Sequence, residues 1–115
     1  MIYVTVERLS PSDSRIKAFV IKGHADFDVR GKDIVCSAVS AITVGTVNSV
    51  EALTGLIPVS EMQRGLLDVS MPHAADPEQD SKAQLLLESM VVMLQTIEDT
   101  YSDYITIETT YCKGG

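Results

Sequence analysis

One uninterrupted stretch governs what this chain can become. From Ile34 to Val50 no side chain carries a charge, and Ile34, Val35, Ala38, Val39, Ala41, Ile42, Val44, Val47 and Val50 put apolar groups on nearly every side of a helix. A helix of that kind has to be buried, so a chain of 115 residues must build its single core around it. The polar members Cys36, Ser37, Ser40, Thr43, Thr46, Asn48 and Ser49 leave the stretch short of the run of about 20 apolar residues that spans a bilayer. The expectation is a core helix and no membrane segment. Its many β-branched residues lower intrinsic helix propensity, so burial has to hold it. Asp33 stands where an N-cap would, which puts Cys36 in the first turn. Ser37, Ala41 and Gly45 recur at spacing four, a smooth strip suited to close packing.

The flanking segments read as strands and a second helix. Met1 to Leu9 alternates Ile2, Val4 and Val6 with Tyr3, Thr5 and Glu7, and Ser10-Pro11-Ser12-Asp13-Ser14 supplies a turn. Arg15 to Lys22 follows, with Ile16, Ala18 and Val20 on one face and Phe19 and Ile21 on the other. That pattern predicts a central strand covered on both faces, by a helix and by a loop or second subunit. Ala25 to Lys32 is a short polar loop. Thr54-Gly55 ends the first helix, Pro58 opens an extended segment to Gln63, Arg64-Gly65 turns, and Leu67, Val69 and Met71 mark the returning strand before Pro72. After the linker His73-Ala74-Ala75, Asp76-Pro77-Glu78 begins a second helix. Its predicted stripe is Leu86, Met90, Met93, Leu94 and Ile97, with Lys82, Glu88, Gln95 and Glu98 in solvent. Tyr104 to Tyr111 is a last strand. The sum is one α+β domain over residues 1–115 in the order ββαββαβ, with a mixed or antiparallel sheet.

Charge and cysteine count narrow the function classes. Sixteen acidic against nine basic residues leave a net charge of −7, which disfavours a nucleic-acid surface. Two cysteines make no disulfide framework, and with no signal peptide legible the expected address is the cytoplasm, where thiols stay reduced. No cofactor is expected. His73 and Cys112 sit in no motif.

The chemistry concentrates between Gly23 and Ser40. A strand end carries His24 and a helix start carries Cys36, an arrangement that suits a thiolate nucleophile with an imidazole to move its proton and first-turn amides to hold an oxyanion. The bland alternative is a cysteine filling the core as a small hydrophobe. Asp33 either caps the helix or orients His24 as a third member. Ser40, one turn after Cys36, either shares its face or bonds the preceding turn. A metal site from His24, Asp26, Asp28 and Cys36 is conceivable but lacks CxxC or HxxxH spacing.

The residues Gly23-His24-Ala25, followed by Gly31-Lys32-Asp33-Ile34-Val35-Cys36-Ser37-Ala38-Val39-Ser40, resemble the ribosomal-processing cysteine protease family, Prp, and the resemblance covers the whole chain. It implies a His24–Cys36 dyad in an endopeptidase that removes the N-terminal extension of large-subunit ribosomal protein twenty-seven. It also implies a groove for an extended apolar peptide ending in aromatic residues at the cut, and a homodimer. Asp33 and Ser40 match the motif as supporting residues, and the 25–32 loop is expected to close on substrate. The competing class is a noncatalytic ribosome-assembly or peptide-binding module whose acidic surface captures a basic protein.

Overall fold

The computed structural model describes residues 1–23 and 30–112, the side chains of 30–33 excepted. The elements are β1 (Ile2–Ser10), β2 (Asp13–Lys22), α1 (Arg30–Thr54), β3 (Val59–Gln63), β4 (Leu66–Ser70), α2 (Pro77–Thr100) and β5 (Ile105–Tyr111). This is the ββαββαβ order expected from the sequence. They form a mixed five-stranded sheet in the order β3-β4-β2-β1-β5, antiparallel throughout except for the parallel pair β1–β5.

Alternation along β1 sets the layers. Ile2, Val4 and Val6 are buried, whereas Tyr3 between them is 53% exposed. The buried set meets Phe19 and Ile21 of β2, Leu67 and Val69 of β4, Ile105 of β5, Val35, Val39 and Val50 of α1, and Leu87, Met90 and Leu94 of α2 in one cluster. Both helices therefore lie on one face of the sheet. Among the described residues no further element lies on the opposite face, where Tyr3 is exposed while Ala18 and Val20 are half-buried; the expected second cover of β2, a loop or a second subunit, falls outside them. Each fully buried Val of α1 contributes about 1.5–3 kcal/mol. That outweighs the helix propensity a β-branched residue lacks relative to Ala, at most about 0.7 kcal/mol.

A bulge corrects the predicted parity of β2. Glu7 pairs with Ala18 but Arg8 pairs with Ile16, so Lys17 is an extra residue on β2. Beyond it the faces exchange, and Ile16, 1% exposed, joins Phe19 and Ile21 instead of Ala18 and Val20. The irregular backbone is answered by α2. Gln84 accepts from the Ile16 amide at 2.7 Å and donates to the Ile16 carbonyl at 2.9 Å. Gln84→Leu should therefore destabilise the fold by about 2 kcal/mol, since it strands a partly buried amide and carbonyl. Denaturant unfolding would show this as a lower midpoint at unchanged slope.

Local signals place the helices, with two adjustments. Asp76 caps α2 as expected, its carboxylate accepting from the Glu78 amide at 3.0 Å ahead of Pro77. The buried stripe of α2, however, is Ala83, Leu87, Met90, Val91 and Leu94, and Met93 is 40% exposed. The helix is rolled because it packs against α1 as well as the sheet. Two of its predicted solvent carboxylates act as ties. Glu88 forms a two-point ion pair with Arg8 (2.6 and 2.9 Å), whose hydrogen bonds hold the guanidinium above its ordinary pKa, and Glu98 accepts from the Ile107 amide at 2.8 Å. At its far end α1 stops at Gly55 (φ +79), and Gln79 of α2 donates to the Thr54 carbonyl at 2.7 Å.

Candidate active site

The site is built where β2 ends. Gly23 adopts φ +93, and its amide donates at 2.9 Å to the carbonyl of Gly65, itself at φ +78 in the β3–β4 turn. A Cβ on Gly23 would lie 2.3 Å from the Met1 carbonyl oxygen. Only glycine satisfies both the conformation and the approach. The end of β2 is thereby fixed at the residue immediately before His24. His24 itself, with Asp26 and Asp28 of the metal alternative, lies outside the described residues.

α1 passes over this strand end. Cys36, half-buried, lines a cavity of about 260 Å³ together with Gly23 and Ser40. Ile21 and Leu67 contribute from the sheet, Val39 and Val44 from α1, and Met62 and Gly65 from the β3–β4 hairpin. The motif's two halves thus meet at one cavity, with apolar walls that suit an extended apolar chain. Ser40 is exposed and opens to the same space.

The helix start differs from expectation. Helical backbone begins at Arg30, so Asp33 is the fourth helical residue and not the N-cap, and residues 30–32 belong to α1 and not to a loop. The unpaired amides of a helix are its first four. Cys36, the seventh helical residue, lies a turn deeper, where its own amide belongs to the helical ladder. First-turn amides beside the thiol are accordingly not available as an oxyanion hole in the simple way the sequence suggested.

The remaining singletons fall elsewhere. His73 lines a separate cavity of about 240 Å³ with Ile16, Leu56 and Gln84, at the opposite end of β2 and α1. Cys112 follows β5, its amide donating to the Arg8 carbonyl at 3.0 Å. Sequence reading named no groove residue. The facing wall of Met62, Leu66 and Leu67 comes from a hairpin whose docking beside β2 had no local signal.

Comparison with known proteins decides the family. The family model for cysteine protease Prp matches residues 1–106. The chain belongs to the Prp family. A ribosomal processing cysteine protease Prp of Bacillus subtilis (strain 168) is 40% identical over 111 residues, covering 95% of this chain and 97% of that one. Two crystal structures of the ribosomal processing protease Prp from S. aureus superpose over 96% of this chain and all of theirs. One, in complex with a substrate peptide, has a TM-score of 0.81 at 29% identity; the other, with a covalently linked product peptide, 0.80 at 31%. Family membership makes the chain a cysteine-type peptidase and sets aside the noncatalytic module.

Proposed function

We propose that this chain is the endopeptidase that removes the N-terminal extension of large-subunit ribosomal protein twenty-seven in the cytoplasm, with Cys36 as nucleophile and His24 as general base and acid. The observation that carries the reading is the apolar cavity on which Cys36 and the residue before His24 both open. Relatives named ribosomal processing protease, one holding a substrate peptide and one a covalently linked product, support it. His24 takes the Cys36 proton as Sγ attacks the scissile carbonyl carbon. It returns that proton to the amine as the C–N bond breaks, and then deprotonates the water that hydrolyses the thioester. Thiol and imidazole suffice, without metal or cofactor. Asp33 and Ser40 are supporting residues, Ser40 by its place on the cavity wall.

Incubating the protein with a peptide spanning the extension junction, and mass-mapping alkylation at neutral pH, tests this. A single cut with Cys36 modified far faster than Cys112 is the expected result. No cleavage, or equal slow labelling of both thiols, overturns it.

The reading includes a homodimer. α1 carries no charge from Ile34 to Val50, and Leu85, Val92 and Met93 of α2 are exposed on the same helical layer. α1 is apolar enough to cross a membrane. Its inward residues explain only part of that apolarity, and no lysine or arginine follows Lys82 on α2 to anchor the layer at an anionic lipid surface. A second copy meets this uncharged face without cost in buried charge. Val92→Glu should convert a dimer to a monomer in light scattering; a wild-type monomer at tens of micromolar contradicts it.

A further inference from the structure

The helical layer stops short of the sheet edge, and what it leaves uncovered is a shelf leading away from Cys36. Ser60 and Met62 of β3 pair with Val69 and Leu67 of β4, which are buried under the helices, so register puts all four on the helix-side face. Val69 and Leu67 are covered, yet Ser60 is exposed and Met62 is 67% exposed. The wall above them is one flank of α1. Ser40 and Val44 line the cavity, and helical spacing carries the same flank through Val47 to Glu51. No side chain on this flank is charged until Glu51. That carboxylate is exposed and has no ion-pair partner among the described residues.

Distance turns this into a substrate rule. Glu51 is fifteen residues beyond Cys36, about 22 Å along the helix at about 1.5 Å per residue. An extended peptide rises about 3.3 Å per residue, so it reaches Glu51 six to seven residues from the bond held at Cys36. Building on the peptidase reading above, we infer that Glu51 selects a lysine or arginine six to seven residues from the scissile bond, the intervening residues lying uncharged along the α1–β3 shelf. The pair is exposed, so it acts on specificity by a modest factor that fades with salt.

The test is a set of junction peptides in which one lysine is moved stepwise through positions three to ten on either side of the cut, in an otherwise uncharged segment. kcat/KM is expected to peak about two- to fivefold at six to seven residues on one side, through KM with kcat unchanged. Glu51→Gln should flatten the peak, and Glu51→Lys should move the preference to a glutamate at the same place. Glu61→Gln should leave it intact, because Glu61 pairs with Asp68 on the opposite face of β3. A profile without positional dependence, or one that Glu51→Gln leaves unchanged, overturns the inference while cleavage itself persists. Absence of cleavage in every peptide instead removes the peptidase reading.

Discussion

Cys36→Ala is expected to lower peptide cleavage at least about ten-thousand-fold, because removing a nucleophile leaves only binding and the remaining polar groups to act. The fold should survive. Cys36 is half-buried on a cavity wall and sits beside the core and not inside it, so losing one sulfur costs about 1 kcal/mol or less. His24→Ala should fall comparably, since the two act as a unit, and the double variant should be little worse than either single one. A full set of products from Cys36→Ala would remove the thiol from the mechanism. A variant that fails to fold would instead reveal itself in circular dichroism before any rate is interpreted.

Gly23→Ala is the substitution expected to harm both stability and activity. The left-handed backbone alone costs an L-residue about 1–2 kcal/mol. In addition the new methyl would stand 2.3 Å from the Met1 carbonyl oxygen, a backbone atom that can yield only by moving the start of β1. The thermal midpoint should drop by about 5–15 °C. Gly55→Ala is the control, because it shares the positive φ (+79) but its methyl would meet only the end of the Gln79 side chain at 3.6 Å. It should lose stability through the backbone term and keep the activity of the folded fraction. Gly23→Ala should lose activity well beyond its unfolded fraction, at least about tenfold, as a displaced positioning element does. Equal behaviour of the two variants would mean that Gly23 matters for conformation alone.

Much of this was legible where the signal was local. Asp76-Pro77-Glu78 fixed the start of α2, Gly55 the end of α1 and Arg64-Gly65 the β3–β4 turn, each through chemistry confined to a few residues. The motif halves at Gly23 and Cys36 were legible for the same reason. What escaped depended on partners distant in the chain. The bulge at Lys17 exists because β1 and Gln84 of α2 accept it, although Ile16 and Phe19, three apart and both apolar, hinted at a change of face. Met93 turned outward because α2 must seat against α1, a contact no period within α2 encodes. The wall facing Cys36 is supplied by β3 and β4, whose place in the sheet follows from pairing with β2 and not from their own composition.

The parallel pairing of β1 with β5 has a consequence for how the molecule comes into being. Of the described strands β1 leaves the ribosome first and β5 last, yet Ile2 lies beside Ile105 and Arg8 beside Tyr111. Until Tyr111 has emerged, one full edge of β1 stays unsatisfied and Ile2, Val4 and Val6 lack part of their cover. The domain therefore closes its longest-range contacts last, which slows folding by raising contact order and leaves a sticky edge on the nascent chain. Peptidase competence therefore waits until β5 has emerged and paired with β1, long after Gly23 and Cys36 have left the ribosome.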